Sequence, residues 1–343
     1  MKKNISTLLV LTLLLSLTAC GLNDTPMEST PVTSATAVSH YPVTVTDQAG
    51  REVTITKEPQ RLISSYYITT SLLMALDLDE RLVGVEDNAG LRPIYSLSNP
   101  IILELPSIGT AKELDLEACA ALAPDLAILP MKVRDSVEDL EALGITVLLV
   151  NPESQELLIE MIQLVATATN TEEKAEALMG FIEIQENYLT EILSGADMPS
   201  VYLASNSSFL STAGDSLYQS DMIRLAGGRN VAGEIEDTYW AQIDYEQLLA
   251  WDPEYIILPS SAKYTVADVM EDPNLSGCRA VVNGNVYQIP GDVESWDSPV
   301  PGSILGAFWL ANILHPEKMT HTDYLEIMNE YYETFYHFTY SEK

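Results

Sequence analysis

The sequence predicts an α/β protein of two Rossmann-like lobes joined by a long rigid backbone helix, and three observations carry that prediction. LDLEACAALAPDLAILP at 114–130 returns as IDYEQLLAWDPEYIILP at 243–259 without a gap, at a constant offset of 246 − 117 = 129 residues. Asp115/Asp244, Glu117/Glu246, Ala121/Ala250, Pro124/Pro253, Ile128/Ile257, Leu129/Leu258 and Pro130/Pro259 are identical pairs. Such recurrence marks two copies of one structural unit. Each copy reads as a short helix followed by a strand buried on both faces, which is one step of a parallel sheet. Between the copies lies a run of amphipathic helical pattern long enough to cross from one lobe to the other.

The elements follow in order. Val43–Asp47 and Arg51–Ile55 alternate in polarity around Gln48-Ala49-Gly50, a hairpin signature. Arg61–Ser65 then reads as a strand, Thr70–Leu76 as a helix and Leu82–Val85 as a strand. In the repeat unit, Asp115 or Asp244 suits an N-cap, and the Glu two residues later suits the first turn. Pro124 or Pro253 ends each helix, and Leu126–Leu129 or Tyr255–Leu258 forms the strand. A helix near Ser136–Leu143 and a strand at Ile145–Val150 complete the first lobe. After a helix at Gln155–Ala168, Asn170 or Thr171 caps the connecting run, which ends at Gly195. Ala175, Leu178, Ile182, Gln185, Leu189 and Ile192 share one stripe, flanked by Phe181, Ile184 and Tyr188. About 24 helical residues span about 36 Å, and a helical connector permits only modest lobe closure. The second lobe reads as a strand at Val201–Ala204, a helix at Gln219–Ala226 with Gly227-Gly228 as its C-terminal turn, the repeat unit, a strand at Val286–Ile289, and helices at Ile304–Leu314 and Asp323–Phe335.

The N-terminus speaks to compartment. Lys2 and Lys3 precede an apolar core from Leu8 to Leu17, a secretory signal too short to serve as a membrane span. Leu17-Thr18-Ala19-Cys20 resembles the lipobox of bacterial lipoproteins, so residues 1–20 are expected to be a lipoprotein signal peptide and Cys20 to carry lipid. Residues 21–40, rich in Ser, Thr, Pro and Ala, read as a disordered tether. About 300 residues remain, more than one core usually organises. The expected division is an N-terminal lobe at 41–168, the connecting helix at 169–195 and a C-terminal lobe at 196–343.

Seventeen basic and 50 acidic residues give a formal net charge of −33, and the pI is near 4.1. Nucleic acid is a poor partner for such a surface. Besides Cys20 the chain has Cys119 and Cys278, one in each lobe, and no disulfide between them is expected. His40, His315, His321 and His337 show no ligand spacing, so no protein-held metal is expected. There is no G-x-S-x-G, no Gly-rich phosphate loop and no G-x-G-x-x-G, and acidic pairs carry no catalytic weight in a chain this acidic, so no enzyme and no cofactor are expected. In a parallel sheet, helix N-termini and strand C-termini lie on the side where ligands bind, which brings Glu117 and Glu246 toward the mouth of the cleft, one in each lobe. Either Glu also serves the helix dipole by about 0.3–1 kcal/mol, with no other role required.

VTVTDQAGREVTI at 43–55, QRLIS at 60–64, RLVGV at 81–85, IGTAKELDLEACAALAPDLAI at 108–128, LEALGITVLLV at 140–150, STAGDSLYQSDMIRLAGGRNVAG at 211–233, WAQIDYEQLLAWDPEYIIL at 240–258 and NGNVYQIP at 283–290 together resemble the class III substrate-binding proteins of ABC importers. In this group a helical backbone joins lobes that carry ferric siderophores, haem or cobalamin. The likeness runs in the family's order over nearly all of the chain beyond the tether. It implies a monomeric lipoprotein, held outside the bacterial membrane by its lipidated cysteine, that captures a metal chelate, an iron-siderophore complex foremost, and delivers it to the permease subunits. It also implies that Glu117 and Glu246 dock on the permease. The ligand then lies against Tyr66 and Tyr67, Arg92, Met131, Lys132 and Arg134 in the first lobe. The second lobe supplies Asn206, Ser207, Trp240, Lys263, Trp296, Asp297 and Ser298. Trp240 looks like a pocket tryptophan of the cobalamin-binding member, although Ala111 stands where that relative has a second aromatic. A corrinoid, haem, an oxyanion such as molybdate, or a sensory or adhesive surface module are the alternatives. A tri-anionic catecholate requires clustered cations, for which Arg92, Lys132, Arg134 and Lys263 are the candidates.

Overall fold

The computed structural model describes residues 39–235 and 240–342; Cys20, the signal peptide and the tether up to residue 38 lie outside them. The predicted hairpin forms: β1 (Val43–Thr46) pairs antiparallel with β2 (Glu52–Ile55). His40, placed at the end of the tether, already belongs to the body, with Nε2 2.8 Å from the carbonyl of Thr167.

The first lobe runs β3 (Leu62–Ser64), α1 (Tyr67–Ala75), β4 (Leu82–Gly84), α2 (Pro93–Ser98), α3 (Leu116–Leu122), β5 (Leu126–Pro130), α4 (Val137–Ala142) and β6 (Thr146–Val150). Its strands form a parallel sheet in the order β4-β3-β5-β6. Every residue of β5 is buried, as expected for a strand covered on both faces. Next come α5 (Gln155–Thr169) and α6 (Glu172–Ile192).

The second lobe contains β7 (Ser200–Leu203), β8 (Ser211–Thr212), α7 (Tyr218–Leu225), β9 (Arg229–Asn230), β10 (Ala241–Gln242), α8 (Tyr245–Trp251), β11 (Tyr255–Leu258), α9 (Val266–Met270), α10 (Arg279–Asn283), β12 (Val286–Gln288), α11 (Ile304–Leu314) and α12 (His321–Tyr336). Its parallel sheet has the order β12-β11-β7-β9, and β8 pairs with β10 in a short antiparallel ribbon. The two parallel sheets share one plan: the first strand is internal, the second lies on its outer edge, and the third and fourth lie on the other flank. The third strands, β5 and β11, belong to the repeated segment.

The repeat extends to local geometry. Asp115 accepts a hydrogen bond from the Ala118 amide and Asp244 from the Gln247 amide, capping α3 and α8 in the same way. Both helices stop one residue before the proline, at Ala123 (φ 45°) and Asp252 (φ 42°). A following proline disfavours right-handed helical backbone at these residues, which ends both helices there, and both residues are left-handed.

α6 is three residues shorter at its end than the sequence pattern implied, about 31 Å long. Asn170 proves to be the left-handed C-cap of α5 (φ 57°) rather than a cap of α6, and Thr171 takes that place without a side-chain bond. Ala175, Leu178, Phe181, Ile182, Gln185 and Leu189 are buried, while Ile184 and Tyr188 are exposed. The helix packs on α5, α7 and α11. A second link joins the lobes: α12 returns to the first lobe and lies on α1. There Tyr336 OH donates to the carbonyl of Ser71 (3.1 Å), and Asp77 is paired with both Lys174 of α6 and His337. One apolar core consequently runs from Leu62 and Leu72 through Leu178 to Phe308 and Tyr332, with smaller cores around Leu129 and Leu258. Cys119 and Cys278 are both free and buried.

Replacing either capping aspartate, as Asp115→Ala or Asp244→Ala, should lower stability by about 1 kcal/mol. Urea unfolding checks this, and a loss in one copy but not the other would show that the two caps are not equivalent.

Candidate ligand-binding site

The loops at the C-terminal ends of β3 and β7 lie where strand order reverses, the usual ligand position in open parallel sheets. At the first, Tyr66 N–H donates to Ser64 Oγ (3.3 Å) and Ser64 Oγ donates to the Tyr66 carbonyl (3.0 Å), a tight turn that delivers Tyr66 and Tyr67 to the start of α1. Their rings meet edge to face at 5.6 Å. Arg92 precedes Pro93 at the start of α2, and its guanidinium carbon lies 3.9 Å from the centre of the Tyr67 ring. Tyr67 also forms a side-chain hydrogen bond with Ser298 of the other lobe. Burial pushes the Tyr67 phenol up, against that bond and the Arg92 charge. Ser260 Oγ donates to Asp297 Oδ1 (3.1 Å), and Gln219 Nε2 donates to the Asp297 carbonyl (2.8 Å). Burial raises the Asp297 carboxyl as well. Tyr67, Arg92, Asp297 and Ser298 thus come together from both lobes.

The remaining candidates are more scattered. Trp296 is 1 % exposed, and its Nε1 donates to Tyr332 OH (2.9 Å). Its indole is a wedge in the core between the 291–300 loop and α12, which corrects its assignment to the ligand face. Met131 is half-buried against the core beneath the first sheet. Lys132 and Arg134 stand on an exposed 3-10 segment after β5, with Arg134 67 % exposed beside Asp135. In the second lobe the Lys263 amide donates to the Asn206 carbonyl (3.0 Å), so two loops are joined, but Asn206, Ser207 and Lys263 are exposed. Trp240, 38 % exposed, leads into β10. None of Lys132, Arg134, Trp240 and Lys263 lines the pocket that Arg92 lines, so the expected cluster of four cations is reduced there to one.

That pocket encloses about 40 Å³ and is bounded by Tyr67, Arg92 and Tyr95 on one side and by Val293, Glu294 and Ser295 on the other. Across it the Ile94 amide donates to the Val293 carbonyl (3.2 Å). Two buried carboxyls, Glu294 on the pocket wall and Glu86 behind Tyr95, are not foretold by the sequence. Glu86, 6 % exposed, accepts from Tyr95 OH (2.6 Å) and Thr70 Oγ1 (2.7 Å). Glu294, also 6 % exposed, accepts from Ser71 Oγ (2.6 Å) and Tyr332 OH (3.3 Å). Burial raises both, Glu294 to about 7. Each follows an apolar strand-like stretch, yet nothing separates it in the sequence from the other acidic residues.

Glu117 and Glu246 are exposed in the first turns of α3 and α8, directly after the equivalent caps. Glu246 borders an open, acidic groove with Glu234, Asp244 and Gln247. The hydroxyls of Ser65 and Thr69, at the entry and first turn of α1, are buried without a partner among the described residues. No group of three or more His, Cys, Asp or Glu side chains suited to a metal ion occurs among the described residues, and none of their helices is long and apolar enough to cross a membrane.

Two α/β lobes, a helical connector and a cleft with contributions from both define a solute-binding protein of the class III type. Residues 62–293 match the periplasmic binding protein family, and the chain belongs to it. It is 24 % identical over 323 residues to the molybdate-binding protein MolA of Haemophilus influenzae, covering 86 % of this chain and 91 % of that one. The molybdate-bound structure of MolA superposes with a TM-score of 0.77 at 22 % identity, covering 88 % of this chain and 100 % of the other. The chain is also 26 % identical over 288 residues to an uncharacterized ABC transporter substrate-binding lipoprotein, YvrC, of Bacillus subtilis, covering 81 % of this chain and 87 % of YvrC. A cobalamin-binding protein of Halobacterium salinarum shares 23 % over 319 residues, 90 % of this chain and 84 % of its own. MolA is the periplasmic molybdate-binding protein of an ABC transporter and YvrC an ABC transporter substrate-binding lipoprotein, so these relatives are binding proteins and not enzymes.

Glu294 gives the fold a pH signature. With its carboxyl raised from 4.5 to about 7, the folded chain holds a proton that the unfolded chain has released, so this contribution is full below about pH 4.5 and is lost as pH rises through about 7. Glu294→Gln should flatten the fall in stability between about pH 5 and about pH 8, as read from urea midpoints. An unchanged slope would mean that Glu294 does not carry the proton.

Proposed function

We propose that this chain is a lipid-anchored receptor that holds a metal chelate between its lobes and presents it to the permease of an ABC importer. The observation that carries this reading is the meeting of Tyr67 and Arg92 with Asp297 and Ser298 across the cleft. Capture and release need no covalent chemistry, only aromatic surface, hydrogen-bonding groups and a lobe arrangement that encloses the ligand. The ligand class is an iron-siderophore-type complex of low net charge. A buried tri-anion needs paired cations, and the pocket wall offers Arg92 opposite Glu294. In this reading Cys20 carries the lipid, the chain acts as a monomer, and Glu117 and Glu246 meet basic residues of the permease. Their matched places in the repeat support the last assignment.

A second reading, an oxyanion such as molybdate, is favoured by a separate observation. The unpartnered Ser65 and Thr69 hydroxyls sit at the N-terminus of α1, whose first turn has no acidic residue. Helix N-termini hold oxyanions with few side chains. The likeness to MolA points the same way.

Native mass spectrometry of the purified chain with ferric hydroxamate, ferric catecholate, haem, cobinamide and molybdate separates these readings. A retained hydroxamate mass is expected; retention of molybdate alone would replace the chelate reading with the oxyanion one. Glu117→Ala combined with Glu246→Ala should leave ligand affinity intact and cut uptake by the reconstituted transporter at least about tenfold, and undiminished uptake would remove the docking assignment.

A further inference from the structure

Arg92 and Glu294 line one pocket from opposite lobes, and neither is the other's partner. Among the described residues Arg92 has no carboxylate within ion-pairing distance, and its charge acts on Tyr67, Tyr95 and Glu86. Glu294 has two hydroxyl donors, Ser71 and Tyr332, and no cation. A carboxylate accepts about four hydrogen bonds, so capacity remains after those two. Gly302 packs against the carboxyl on the side away from the pocket lining, where a Cβ would lie 2.6 Å from Glu294 Oε2, and the pocket itself borders Glu294 on the other. A buried carboxyl without a cation is costly to ionise, whereas one that meets a cationic group is not.

We infer that this pocket recognises an amphoteric ligand, with Glu294 receiving a primary ammonium or similar cationic N–H group and Arg92 an anionic or strongly polarised oxygen of the same molecule. The inference rests on the inter-lobe cleft being the ligand site and narrows its substrate class to chelates that carry an amine. At about 40 Å³ the enclosed space holds only about three waters, so it admits the ammonium end of an aminoalkyl arm while the body of the chelate stays at the mouth beside Tyr66 and Tyr67. The groups facing Glu294 are Ser71 of α1, Tyr331, Tyr332 and Tyr336 of α12, and Gly302, with Tyr67, Arg92 and Asp297 farther along the same cleft. An incoming ammonium therefore displaces the proton held on Glu294, and affinity for an amine-bearing ligand strengthens as pH rises through about 7.

The test uses two probes, a ferric trihydroxamate with a free primary amine and the same chelate with that amine acetylated, titrated calorimetrically into the purified chain. The amine form is expected to bind at least about tenfold tighter at about pH 8, with a smaller margin at about pH 6. Glu294→Gln should abolish the preference while thermal unfolding shows a folded protein. Gly302→Ala, which crowds the carboxyl without removing it, should reduce the preference and serves if Glu294→Gln does not fold. Equal affinity for the two forms, or a preference that survives Glu294→Gln, would overturn the inference and leave the cleft reading in place. Failure of both forms to bind the wild-type chain would overturn the chelate reading and the inference with it.

Discussion

The seam between α1 and α12 is the constraint on which the rest of the molecule depends. α1 is buried along nearly its whole length, so the hydroxyls of Thr70 and Ser71 on it turn to carboxyls supplied by other parts of the chain. Thr70 turns to Glu86 within its own lobe, while the next residue, Ser71, turns to Glu294 and Tyr336 across the lobe boundary. The aromatic ladder of Tyr331, Tyr332 and Tyr336 fills the space behind them. With α6 as one connector and this seam as another, the lobes cannot separate without exposing a continuous apolar core. The helix that leads with Tyr67 into the cleft is thus anchored at its back by the C-terminal end of the chain.

The fold was largely legible because its signals are local. Buried parallel strands announce themselves as short apolar runs, caps as Asp or Ser before helices, and the repeat by identity at fixed spacing. Asp115 and Asp244 behave as that pattern requires. Where the pattern misled, a neighbour decided: Asn170 looked like an N-cap but ends α5, because a left-handed residue was needed to turn the chain between two packed helices. Ile184 and Tyr188 fell near the apolar stripe of α6, yet both stay exposed, Tyr188 at the edge of the core with its ring stacked on Phe308 of α11.

The site was legible only in part. Tyr67, Arg92, Asp297 and Ser298 could be placed because strand ends place loops, and the loops carry these side chains. Trp296 could not, since the sequence does not reveal that α12 folds back and supplies Tyr332 as a partner for its indole. Glu86 and Glu294 were invisible for the opposite reason: among 50 acidic residues only tertiary packing singles out the two that lose their water. The same acidity makes Arg92 more informative than its abundance suggests, because it holds its place by stacking on Tyr67 and not by neutralising a neighbouring acid.

Ala123 and Asp252 share a left-handed backbone although one is small and apolar and the other charged, and neither is glycine. What they share is the proline that follows. A proline disfavours right-handed helical backbone in the residue before it whatever that residue is, so the position holds alanine in one copy and aspartate in the other. One backbone unit is thus used twice with different side chains, at positions 252 − 123 = 129 residues apart and within sheets of the same strand order. A frame that tolerates such exchange lets each wall of the cleft present its own groups while the strands behind it stay the same.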